Sequence, residues 1–156
     1  MGTSSIIIPI DEEQIQEMNE WLVDYGFEIP VGITSRYPTP SEIRQVLDEM
    51  PEYTKVYSME NLWDVGVYET ALYDQEHRSS SGKDAYICSI GPKLDDSLPL
   101  HIYFSGGSPE VNLEIVLGLA RFTGPLLYIN FSDGSPILVF PDEKLADLIS
   151  KWEKRT

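Results

Sequence analysis

Cys88 is the only cysteine in the chain, and His101 is one of two histidines. A thiol beside an imidazole can be made into a nucleophile. Both residues fall on stretches that read as neighbouring strands, 84–90 and 98–104, at nearly opposite positions. One reading is therefore a small enzyme or ligand-binding regulatory module, its pocket lined by Cys88, His101, Tyr103 and nearby carboxylates. Against it, no oxyanion-hole or cysteine-hydrolase pattern surrounds Cys88, and a structural cysteine beside a satisfied histidine accounts for the same letters. Ser105-Gly106-Gly107-Ser108 stands between a strand pattern and a helix start, where backbone N–H groups can hold a phosphate. It lacks the lysine of a P-loop, and Pro109-Glu110 removes one donor and repels an anion. Carboxylates are numerous, yet paired-carboxylate hydrolysis needs two acids facing one cleft at a set separation. His77 and His101 belong to no metal-ligand pattern, and Asp95-Asp96 lacks the rest of a calcium loop. The letters thus indicate no catalytic residue, no cofactor and no metal.

Charge is the stronger signal. The formal net charge is −15. Residues 1–82 hold 16 Asp+Glu against 4 Lys+Arg, a balance of −12, and residues 83–156 hold 10 against 7, a balance of −3. Acidity of this kind aids solubility. It also steers basic partners and repels phosphate backbones. Nucleic-acid binding is disfavoured on the same ground, because the basic residues are outnumbered and not interleaved with the aromatics. The expected partner is a basic protein. The candidate contacts are Glu13, Glu17, Glu20 and Asp24 on a first helix, Asp48, Glu49 and Glu52 around a second, and Asp74 and Glu76 in a polar loop.

The elements that must carry these residues can be read from caps and periodicity. Asp11 and Gln14 form a capping box ahead of Ile15, Met18, Trp21, Leu22 and Tyr25, and Gly26 stops the helix. Thr39, Pro40 and Glu42 start a second helix whose buried stripe is Ile43, Val46, Leu47 and Met50. Strands are expected at 55–58, 64–72, 84–90 and 98–104. Residues 74–83 read as a polar loop. Ser108 and Pro109 open a third helix that is apolar nearly all round, with Phe122 on its face and Gly124-Pro125 at its end. Strands at 126–131 and 137–140 follow. A last helix opens at Asp142, with Leu145, Leu148, Ile149 and Trp152 inward. The order is α-α-β-β-β-β-α-β-β-α. It predicts one α+β domain over residues 1–156, with a mostly antiparallel central sheet of about five or six strands flanked by four helices. The segment 98–131 would supply one parallel pair.

Ile6-Ile7-Ile8-Pro9-Ile10 is apolar but too short for a signal core, and no run approaches the roughly 20 residues of a membrane helix. One cysteine rules out an internal disulfide and fits a reducing compartment. The expectation is a soluble, cytoplasmic protein that uses no membrane.

Leu98 to Val139 resembles bacterial immunity proteins of polymorphic-toxin systems. The features are a strand running into Ser105-Gly106-Gly107-Ser108-Pro109-Glu110, an apolar helix, Gly124-Pro125, a strand, Asp133-Gly134-Ser135-Pro136 and a further strand. Trp21-Leu22, Tyr25-Gly26-Phe27 and the proline-initiated second helix are consistent with it. The resemblance implies a small acidic protein that neutralises a cognate toxin, for example a nuclease, by occluding or distorting its active site. It transfers no catalytic residues.

Overall fold

The isoleucine run near the start of the chain forms an interior strand, hydrogen-bonded on both edges. In the computed structural model of the protein, the described residues are 4–10, 15–27, 34–51, 53–62, 65–74, 85–91, 101–105, 109–131 and 136–154. Seven strands form one sheet: β1 (Ser4–Pro9), β2 (Tyr53–Leu62), β3 (Val65–Asp74), β4 (Ala85–Gly91), β5 (His101–Ser105), β6 (Leu126–Asn130) and β7 (Pro136–Val139). Their spatial order is β2-β3-β4-β5-β1-β6-β7, and all pairings are antiparallel. With α1 (Ile15–Val23), α2 (Pro40–Asp48), α3 (Pro109–Thr123) and α4 (Leu145–Lys154), the class is α+β as expected.

The sheet has one strand beyond the expected five or six, because Ser4–Pro9, for which the sequence pattern predicts no element, is a strand. A strand covered on both faces reads as an unbroken apolar run. Its position also corrects the expected parallel pair. β5 and β6 do run in the same direction, but β1 lies between them and pairs antiparallel with each.

Side-chain alternation gives the sheet two unlike faces. Ile7, Leu72, Ile87, Phe104, Tyr128 and Ile137 point to one face, where α2, α3 and α4 complete the main core. α3 packs on β6 and β7 and contacts both α2 and α4, and most of its residues are buried, as its nearly continuous apolar character requires. Phe122 departs from that expectation and is exposed. Tyr128 organises this core. It meets Phe104 edge-on at 5.9 Å and Trp152 at 5.7 Å, and its hydroxyl oxygen accepts from Ser5 Oγ at 2.9 Å and Asn112 Nδ2 at 3.2 Å. One ring thus joins β1, β6, α3 and α4.

The other face, at the β1-β6-β7 end, is covered by α1. Leu22 packs there with Ile10, Leu127, Ile129 and Leu138, and Trp21 packs beside them. Gly26 ends α1 at φ +83°, where the Gly26 N–H donates to Val23 O and the Phe27 N–H to Leu22 O, the paired bonds of a Schellman cap. Tyr25, which shares the apolar spacing of the first helix, is exposed and meets Trp21 edge-on at 6.0 Å. Asp11 and Gln14 lie outside the described residues. The second helix has the expected start: Thr39 Oγ1 accepts from the Glu42 N–H and the Glu42 carboxylate accepts from the Thr39 N–H. α4 begins at Leu145, three residues after Asp142, once Glu143 has accepted the Phe140 N–H and bound Lys151.

Candidate functional site

Strand register builds a row of unlike side chains on the face away from α2, α3 and α4. Glu69 on β3 pairs with Cys88 on β4, and Cys88 pairs with Tyr103 on β5. Tyr103 pairs in turn with Ile6, whose other neighbour Ile129 packs beneath α1. The row and α1 therefore share one side of the sheet. Tyr86 stands two residues from Cys88 on the same face and donates its hydroxyl to Glu69 Oε2 at 2.5 Å. Cys88 is 2% exposed beneath these neighbours, while Tyr103 is 36% exposed and Glu69 and Tyr86 are half-buried.

The row holds its protons. The hydrogen bond to the Glu69 carboxylate, assisted by burial and by the negative charge, pushes Tyr86 far above the usual phenol range. The hydrogen bond with Cys88 and burial push Tyr103 up to about 12. Burial pushes the Cys88 thiol up, against the opposing effect of the Tyr103 hydroxyl, and the Glu69 charge adds to the rise. At neutral pH Cys88 is a thiol and both tyrosines are neutral. The row sets one carboxylate and two aromatic rings over the small Cys88 side chain.

The Cys88–His101 pair of the alternative enzyme reading is not directly opposite in this register. His101 pairs with Ile90, two positions along, and Tyr103 takes the place opposite Cys88. A thiol that keeps its proton is a poor nucleophile.

On the helical side, a cleft of about 230 Å³ lies between α2, α3 and the start of α4. Val46, Met50, Leu117 and Leu145 line it with Glu49, Glu114 and Arg121. Its charges are of both signs. Gly118 lets α2 approach closely here, since a Cβ at this position would lie 2.7 Å from Val46 Cγ1.

The anticipated partner residues do not form one patch. Glu20 and Asp24 are exposed at the end of α1, and Asp48 and Glu49 are exposed at the end of α2, on the opposite side of the sheet. Glu17 lies in α1 and Asp74 ends β3, but nothing is described of their side chains. Glu13, Glu52, Glu76 and the Gly106-Gly107-Ser108 segment fall outside the described residues. Glu69 and Tyr86 were missed by motif reading. The signal that could have found them is period-2 alternation in 65–74 and 85–91, which puts Glu69, Tyr86 and Cys88 out of step with the core residues Thr70, Ile87 and Leu72.

The sheet also sorts the cations. Arg44 lies on α2, Arg121 on α3, and Lys144, Lys151 and Lys154 in and beside α4. Arg36 grips both oxygens of Glu42 at 2.7 Å and donates to Phe122 O. Lys55 pairs with Leu72, whose side chain enters the main core. Among the described residues, the α1 side of the sheet carries Glu20, Asp24 and Glu69 and no Lys or Arg. Among the same residues, no group of three or more His, Cys, Asp or Glu is placed to hold a metal, and no helix is long and apolar enough to cross a membrane. No protein-family model matches the chain, and no curated protein or solved structure matches it.

Proposed function

We propose that the chain is a non-enzymatic binding protein of the immunity type, which neutralises a basic toxin domain, such as a nuclease, in the cytoplasm by electrostatically steered docking. The observation that carries this reading is the sorting of charge by the sheet. The α1 side presents carboxylates without cations among the described residues, whereas the helical side mixes both signs. A one-signed surface speeds the approach of an oppositely charged protein and rejects like-charged ones. The Tyr103 ring on that side offers the kind of aromatic anchor that supplies affinity once contact is made. The protonated state of Cys88 and its pairing with Tyr103 support binding over covalent chemistry.

The test is genetic and then physical. The reading frame adjacent to this one is expressed alone and together with this chain. The expected result is a product that arrests growth alone, is tolerated in the joint strain, and stays bound to this protein at low salt while dissociating as salt rises. A non-toxic neighbour that the purified protein fails to retain at low salt would overturn the reading.

A further inference from the structure

We infer that the cleft between α2, α3 and the start of α4 is a binding site for a short apolar peptide with both ends free, of dipeptide size. It lies across the sheet from the docking surface proposed above and is independent of it.

The space, its floor and its charges all bear on the occupant. The cleft holds about 230 Å³. Pockets for drug-sized molecules run from roughly 300 to 1,000 Å³, so this one takes something smaller. Its floor is apolar: Val46, Met50 and Leu117 line it together with Leu145, the first residue of α4. Its charges are sorted along its length. Arg36, just ahead of α2, bonds to Phe122 O and Thr123 O at the end of α3, while Val46, further along α2, lies against Gly118. The two helices are therefore antiparallel, and the end of α2 lies toward the start of α3. That end of the cleft carries Glu49 and Glu114, and Arg121 stands toward the other. Glu49 is the C-cap of α2, where the helix dipole adds to the negative potential. Glu114 and Arg121 are two turns apart on α3, roughly 10 Å along its axis.

The chemistry of the occupant follows from that polarity. An anion alone would meet two carboxylates, and a cation alone would meet a guanidinium. A molecule with a cation at one end and an anion at the other satisfies both. An ammonium has three N–H groups to donate to carboxylates, and a carboxylate accepts the two parallel N–H groups of a guanidinium. A single amino acid carries both charges on one carbon and is too short to reach both ends at once. An extended dipeptide spans about 7 Å, and a hydrogen bond of about 3 Å at each end covers the remaining distance. Its apolar side chain then rests on Val46, Met50 and Leu117, out of water.

The experiment titrates the full chain with the dipeptide Gly-Leu and three relatives. N-acetyl-Gly-Leu lacks the ammonium, Gly-Leu amide lacks the carboxylate, and free leucine is one residue shorter. Backbone amide shifts locate the contact and give the Kd. The expected result is saturable Gly-Leu binding with shifts centred on Glu49, Leu117 and Arg121, and binding of each relative weaker by about tenfold or more. Arg121→Met should weaken Gly-Leu about tenfold and leave Gly-Leu amide within about twofold of its wild-type affinity. Glu49→Gln/Glu114→Gln should likewise weaken Gly-Leu and spare N-acetyl-Gly-Leu. If the carboxylate variant fails to fold by circular dichroism, Arg121→Met, at an exposed position, and the four ligands on the unaltered chain decide. Absence of a saturable shift up to about 20 mM Gly-Leu, or binding of the relatives within about twofold of it, overturns the site. Sensitivity to acetylation alone would mark a plain cation site, and sensitivity to amidation alone a plain anion site; either overturns the assignment. None of these results touches the acidic docking surface, which is tested by its own partner.

Discussion

Cys88 shows how an environment decides what a residue can do. The same thiol beside a base would be reactive, but here burial raises it and its strand neighbour is a tyrosine. Cys88 is expected to react with a disulfide reagent at pH 8 at least ten times more slowly than after urea unfolding, which a colorimetric thiol assay reads directly. The same groups give the fold an alkaline limit. The folded forms of Cys88, Tyr86 and Tyr103 all bind their protons more tightly than the unfolded chain does. Their contribution is therefore complete below the unfolded values, near 9 for the thiol and 10 for the phenols, and is lost as pH rises through the raised folded values. Urea midpoints should fall between pH 8 and pH 11, and Tyr103→Phe should flatten the fall. Tyr128 is the corresponding residue in the core. Tyr128→Phe keeps the ring packing against Phe104 and Trp152 but removes the acceptor shared by Ser5 and Asn112, a cost of about 1–3 kcal/mol that chemical denaturation would measure.

At the scale of elements, the contact between α2 and α3 depends on Gly118. Replacing a helical glycine by alanine gains about 1 kcal/mol of intrinsic propensity, while overpacking costs about 1–3 kcal/mol. Val46 is β-branched and stiff, and the new Cβ would sit 2.7 Å from its Cγ1, so the clash should win. Gly118→Ala is expected to destabilise by about 1 kcal/mol net, and Val46→Ala/Gly118→Ala to cost less than the sum of the single changes, a coupling that a double-mutant cycle isolates. The start of α2 was legible in sequence because its chemistry is local: Thr39, Pro40 and Glu42 lie within one turn and satisfy each other. The interior strand β1 was not, because Ile6-Ile7-Ile8 has no alternation to announce a strand when both faces are covered. The Cys88 row was half legible. Its three strands were read within a few residues where they are described, but register puts Tyr103 opposite Cys88 and His101 two positions along.

Among the described residues, the fold turns a lopsided composition into a lopsided surface, though not the one that chain position suggests. Sequence puts the acidic excess in the first 82 residues. Strand order then separates α1 from α2 across the sheet, so nearness along the chain is not nearness in space. Asp48 and Glu49 end up among the cations of the helical layer, where Arg44 and Arg121 offset their field. Glu20 and Asp24 keep theirs. Long-range steering depends on the summed field beyond a Debye length of about 8–10 Å at physiological salt, so only the unbalanced side should guide a basic partner. Neutralising Glu20 and Asp24 is therefore expected to slow association with a basic protein severalfold at 50 mM salt and to reduce the salt dependence of the rate. The matched change at Asp48 and Glu49 should alter the rate by less than twofold. Stopped-flow rates for the two double variants, each removing two negative charges, compare them at equal net charge. Equal slowing by both pairs would mean that total charge, and not its sorting by the sheet, governs encounter.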